Sequence, residues 1–222
     1  MGKLIVLEGT DGVGKSTQFS LLLEHLKNDG ISCRTVAFPQ YREPSSALIR
    51  MYLGGEFGTK PSDVNAYAAS VFYAVDRYAS WKKDWKKDYE DGTLIICDRY
   101  TTSNAVHQGS KEPPENRADY YNWLYETEFK LLGLPKPDLV IYLDAPIELT
   151  EAMMRKRESQ TNTNADIHEK DLAYLRLCRT SGREAAEFYG WKIIHCAKDG
   201  AMRTREDIHE EVFRLVAKCL EE

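Results

Sequence analysis

Cysteine is scarce in this chain and shows no pattern: Cys33, Cys97, Cys178, Cys196 and Cys219 are an odd, scattered set among 222 residues, with no metal-ligand spacing. Neither a disulfide framework nor a zinc site is expected, and the usage suits reduced thiols in a cytoplasmic setting. No long basic block occurs and the formal net charge is −5, which argues against a nucleic acid polymer as partner, because phosphate-backbone affinity needs many Lys and Arg contacts. Small phosphorylated ligands stay open. No apolar run is long enough to span a membrane, so no membrane partner is expected. The short run after Lys3 leads straight into a glycine-rich turn, as a core strand does and a secretion signal does not. Val6 stands where a myristoylation pattern wants Ser or Thr. Repeats are absent too.

What is present is enough for a core. With 42% hydrophobic residues the length suits one domain over 1–222, with a lid segment at about 152–168 that includes the polar stretch Glu158–Ala165. Apolar runs at Leu4–Leu7, Thr35–Phe38, Leu94–Cys97, Leu139–Leu143 and Ile193–Cys196 read as five buried strands with helix-period segments between them. That alternation predicts an α/β fold: a parallel five-stranded sheet in a three-layer αβα arrangement of the P-loop NTPase type, with a short helical lid. Phe19, Leu22, Leu23 and Leu26 form the stripe of the first helix, with Gly30 as its stop. In such sheets ligands bind beyond the carboxyl ends of the strands.

Directly after the first run comes Gly9-Thr10-Asp11-Gly12-Val13-Gly14-Lys15-Ser16-Thr17, the phosphate-cradling pattern GxxxxGK[ST] in its strand-to-helix context. The glycines let backbone N–H groups converge on phosphates, Lys15 adds a mobile cation, and Ser16 can ligand Mg²⁺. The site is therefore expected to take a nucleoside triphosphate. Asp11 is an unusual carboxylate to find beside phosphates, which points to a function, a loop-capping acid being the alternative.

Together, Leu7–Thr17, Arg42-Glu43-Pro44, Asp98-Arg99-Tyr100 with Ser103 and Gln108-Gly109, and Tyr142-Leu143-Asp144 resemble the thymidylate kinases over nearly the whole chain. The resemblance implies transfer of the ATP γ-phosphate to dTMP, with Mg²⁺ as cofactor, small-molecule partners and a homodimer. It implies that Asp11 accepts a hydrogen bond from the sugar 3′-hydroxyl, that Arg42 and Arg99 hold the acceptor phosphate, and that Asp98 holds Mg²⁺ through water, with Asp144 as the rival acid. Tyr73 is expected to stack on thymine and Arg77 to donate to its O4, a surface Tyr–Arg stack being the alternative. Ser103 and Gln108 are expected on the remaining base edge.

The chain departs from the family in three places. Gly12 stands where some members carry an arginine, which makes Arg155 and Arg157 of the lid base the compensating catalytic candidates. Ile167 follows Asp166 where an acidic–arginine pair is usual. His107 replaces a tyrosine that lies against the sugar, so sugar selectivity is open. Ala197-Lys198-Asp199-Gly200 falls where related kinases wrap adenine. On the helix near residues 62–87, periodicity assigns Val64, Ala68, Val71, Phe72, Val75 and Ala79 to the buried stripe. A kinase for another deoxynucleotide or a nucleoside is the nearest competing reading. A GTPase lacks support, because Cys196-Ala197-Lys198-Asp199 misses the guanine-reading spacing. Retention of Lys15, Ser16, Asp98 and Arg99 argues against a non-catalytic module.

Overall fold

In the computed structural model, which describes residues 1–151, 153–154 and 171–222, five parallel strands run β1 (Leu4–Gly9), β2 (Cys33–Ala37), β3 (Leu94–Asp98), β4 (Leu139–Asp144) and β5 (Lys192–His195). Their spatial order is β2-β3-β1-β4-β5. The chain moves to one side of β1 for β2 and β3 and to the other for β4 and β5, so the strand order switches at β1. A crevice beyond the carboxyl end of β1 follows from that switch. Of the lid segment only Met153 and Met154 are described; its arginines, Arg155 and Arg157, lie outside the described residues, as does Asp166-Ile167.

Around the sheet lie α1 (Lys15–Asn28), α2 (Ala47–Leu53), α3 (Ala66–Ser80), α4 (Lys86–Glu90), α5 (Thr101–His107), α6 (Arg117–Tyr125), α7 (Leu172–Tyr189) and α8 (Arg205–Glu221). Strand alternation divides the core. Ile5, Leu7, Ile96, Ile141 and Leu143 pack with Leu22 and Leu26 of α1 and Val212 and Val216 of α8, while Leu4, Val6, Ile95, Cys97 and Val140 pack with Trp81, Trp85, Tyr89 and Tyr100. Burial on both faces is why these strands read as continuous apolar runs. The exceptions are the two edge strands, β2, which starts at Cys33 and ends before Phe38, and β5, which starts at Lys192 and ends before Cys196. The predicted boundaries there were shifted because an edge strand carries a weaker apolar signal.

The stripe assigned to the 62–87 helix is corrected. Val71 and Val75 are 44% and 49% exposed, while the face against the protein is Ala66, Ala69, Ser70, Ala74, Asp76, Arg77 and Ser80. Small and hydrogen-bonded polar groups fill the inside. Phe72 is half-buried beside Tyr52. The helix continues through a π-helical turn, Trp81–Trp85, into α4. Ala197–Lys198 and Ala201–Met202 form a two-stranded hairpin whose central Asp199 and Gly200 have φ of 52° and 78°, the left-handed pair that a tight primed turn requires.

Candidate active site

Beyond the carboxyl ends of β1 and β3 a cavity of about 770 Å³ is walled by the glycine loop and the start of α1, by Phe38, Pro39 and Tyr41 after β2, by Tyr73 and Arg77 of α3, and by residues 98–108. The loop is shaped by close approach. A Cβ at Gly12 would lie 2.6 Å from the Thr150 carbonyl oxygen and 2.7 Å from Met154 Cγ, at φ +77°. Only glycine fits there without strain. Gly14, also left-handed, caps α1. Ser16 and Thr17 are exposed at the positive end of that helix, where an anion is stabilised by dipole and free N–H groups.

Lys15 is buried, and its ammonium donates to the carbonyls of Gly9 at 2.7 Å and Thr10 at 3.2 Å. Burial, and next the neighbouring Arg99, push its pKa down, against Asp11, Glu8 and Asp98, which raise it. Asp11 lies 3.9 Å from Lys15 Nζ and accepts from Arg99 Nη2. The carboxylate that looked out of place in a phosphate loop is thus neutralised by two cations.

Arg99 has φ of 65°, a conformation that costs a non-glycine residue about 1–3 kcal/mol and recurs at functional sites. Its Nη1 lies 3.0 Å from His107 Nε2 and 3.4 Å from Ser103 Oγ. Since a guanidinium only donates, that histidine nitrogen accepts, and the His107 ring is neutral in this contact. Burial lowers the Arg99 pKa, but Asp11, Glu8 and Asp98 together raise it, so the cation is retained.

Two residues that sequence reasoning passed over organise the wall. Glu8 is fully buried and accepts from the Gly9 amide, Thr102 Oγ1 and Ser103 Oγ at 2.9, 2.7 and 2.6 Å. A single acid ending an apolar strand was the available signal. Asn104 is buried, lines the cavity, and donates through Nδ2 to Ser70 O and Glu128 Oε1. Nothing in the sequence distinguished it from the other small polar residues of α5.

The remaining expectations divide. Tyr73, Arg77, Arg99, Ser103, His107, Gln108 and Asp98 all line the cavity. Ser103 donates its hydroxyl hydrogen to Glu8 and lies 3.4 Å from Arg99 Nη1, which leaves its oxygen to act toward the cavity as an acceptor only. Arg77 is held by Glu128, Nε to Oε2 at 2.7 Å and Nη2 to Oε1 at 2.5 Å, with Nη1 3.4 Å from the Tyr100 carbonyl. It is no surface stack. Arg42 is exposed and off the cavity wall, whereas Tyr41 is on it. Its loop is pinned by Asp76, which accepts from Gln40 N and Ser45 Oγ, and by Arg50, which donates to Tyr41 O. Asp144 is gripped by Arg179 at 2.7 and 3.0 Å, while Asp98 Oδ1 is buried with no hydrogen-bond partner among the described residues. The acid free to meet a cation is Asp98.

A thymidylate kinase family model matches residues 7–210. The chain is 31% identical to a probable thymidylate kinase of Pyrococcus horikoshii over 97% of its own length and 96% of the relative's. It is 33% identical to a thymidylate kinase of Mycobacterium tuberculosis over 85% and 87% of the two chains, and 27% identical to that of Plasmodium falciparum over 98% and 90%. The phosphate-loop pattern and the whole-length likeness agree: the chain belongs to the thymidylate kinase family.

Proposed function

We infer that the chain is a nucleoside monophosphate kinase that transfers the γ-phosphate of ATP to dTMP, giving dTDP and ADP. One observation carries this reading: Lys15 of the phosphate loop and Arg99 of the opposite wall meet on the same carboxylate, Asp11, inside one cavity. A donor triphosphate on the loop and an acceptor phosphate at Arg99 are then neighbours, as in-line phosphoryl transfer needs.

On this reading the loop amides from Gly9 to Thr17 hold the donor phosphates, and Lys15 trades its carbonyl partners for phosphate oxygens. Arg99 neutralises the acceptor phosphate while Asp11, already beside it, accepts from the sugar 3′-hydroxyl. Arg42 reaches the same phosphate from the cavity mouth, and Arg155 or Arg157 adds charge from the lid. No strong base is required, because the reaction is driven by positioning and charge neutralisation. The donor set fits Mg²⁺: the partnerless Asp98 oxygen and the Ser16 hydroxyl are hard oxygen ligands, to be completed by phosphate and water. When bound, Mg²⁺ neutralises charge across the transferring phosphates.

Tyr73 supplies a ring for base stacking. Beside it, the Asn104 amide has both hydrogens directed into the protein, so Oδ1 is its cavity end, and Arg77 Nη1 is the end of that fork left by Glu128. A donor next to an acceptor matches the O4 and N3–H of a 4-oxo pyrimidine, and a 4-amino pyrimidine presents the reverse. The Gln108 Oε1, buried without a partner among the described residues, adds a further acceptor. His107 occupies the sugar side against Arg99.

The same reading covers the whole chain as one kinase domain with its lid, working in the cytoplasm, as a homodimer. Tyr67, Val71, Val75 and Tyr78 are 38%, 44%, 49% and 38% exposed along one stripe of α3, an apolar face that a second copy can cover. Among the described residues no helix is long and apolar enough to cross a membrane. The test is an acceptor panel with ATP and Mg²⁺. ADP release dependent on dTMP is expected, and turnover of thymidine but not dTMP would overturn the assignment.

A further inference from the structure

We propose that Glu128, which touches no substrate in this reading, is the positioning residue that sets which pyrimidine edge the cavity reads. The proposal rests on the base-edge reading above. Its carboxylate is 1% exposed and accepts four hydrogen bonds: from Arg77 Nη2 and Asn104 Nδ2 on Oε1, and from Arg77 Nε and Thr101 Oγ1 on Oε2. These bonds do more than neutralise Arg77. The two-pronged grip fixes the guanidinium plane and leaves Nη1 as the outward donor. The bond to Asn104 Nδ2 settles which way that amide lies, since its nitrogen must face the carboxylate and its oxygen the cavity. One buried acid therefore writes both halves of the donor–acceptor pattern.

A purely structural role explains the arrangement less well. Replacing a buried ion pair by apolar side chains of similar volume is often neutral or stabilising, so stability alone gives little reason for this one. Three of the four donors to the carboxylate come from Arg77 and Asn104, both on the cavity wall. Glu128 is also delivered by a π-helical turn, Glu126–Leu131, that prolongs α6. The widened register turns Glu128 inward between half-buried Thr127 and Phe129, and such turns are frequent at functional sites.

Glu128→Gln tests this, because the replacement keeps the volume but has a single acceptor oxygen, so its NH2 group faces either the donors Arg77 Nη2 and Asn104 Nδ2 or the donor Arg77 Nε. With the folded variant, the ratio of kcat/KM for dTMP over dCMP is expected to fall at least tenfold, through a raised KM for dTMP, with the KM for ATP unchanged. Glu128→Asp keeps the charge and a partner for Arg77 while being too short to serve Asn104 and Thr101 together. It should fold, and should also lose at least threefold of that ratio. A merely structural ion pair predicts otherwise: Asp restores the wild-type ratio, or Gln changes thermal stability and leaves the ratio within twofold. Either result overturns the proposal. If instead the wild-type protein does not turn over dTMP at all, it is the function assignment that fails.

Discussion

At the scale of single residues, the site is a set of charges that cancel one another. Buried Lys15 and half-buried Asp11 and Arg99 form a chain of charges, and Glu8 closes it through Ser103. Lys15→Ala should leave the fold intact and lower the rate of phosphoryl transfer by roughly 10²–10³-fold, the usual cost of one preorganised charge-stabilising donor. Unchanged transfer in a coupled assay would refute this view of the loop. The two acids at strand ends should separate cleanly. Asp98→Asn is expected to lose turnover at nearly constant stability. Asp144→Asn should instead lower the unfolding temperature, since it leaves Arg179 without its two-pronged partner; comparison of melting curves with kcat decides it. Gly12→Ala should destabilise by more than the roughly 1–2 kcal/mol of a left-handed residue with a side chain, because its Cβ would also meet the Thr150 carbonyl at 2.6 Å. Scanning calorimetry would show this as a fall in Tm.

At the scale of elements, connections decide which side chains reach the cavity. The strained turn at Arg99 begins α5, and its amide still donates to Leu7 O at 3.2 Å, so the guanidinium is aimed by β1 as well as by β3. Behind the cavity, Lys111 ties the turn after α5 to α2 and to the start of α3, donating to Tyr52 Oη and Val64 O at 2.8 Å each. Burial pushes its pKa down to about 8 from 10.5. Between those values the unfolded chain holds a proton that the native one has lost, so this group makes stability rise with pH across about 8 to 10.5. Lys111→Met should flatten that rise relative to wild type in denaturant titrations at several pH values. An identical slope in both proteins would remove Lys111 as its source.

For the whole molecule, the stripe Tyr67, Val71, Val75 and Tyr78 is an apolar surface open to a partner. Val71→Lys with Val75→Glu should convert a dimer into a folded monomer in sedimentation velocity, with little change in the circular dichroism spectrum. A wild type that already sediments as a monomer at working concentration would remove the dimer from the proposed function. The apolar period of this helix was plain in the sequence. Its direction was not, because periodicity reports that a face is apolar and not whether the same chain or another covers it.

The linear chain by itself determined the five strands, the phosphate loop and its lysine, and the acid and arginine at the end of β3, because each rests on short-range rules: apolar runs for the strands, continuous where both faces are covered, glycine where the backbone turns left, a helix start behind it. Only the tertiary structure decided that Asp11 is paired with Arg99, that Asp144 belongs to Arg179, that Arg42 stands outside the wall, and that Glu128 lies beneath Arg77 and Asn104. Those are contacts between groups as far as 88 positions apart in the case of Arg99 and Asp11. Their energies depend on burial and on the presence of a partner, and neither quantity exists until the sheet has brought its strand ends together.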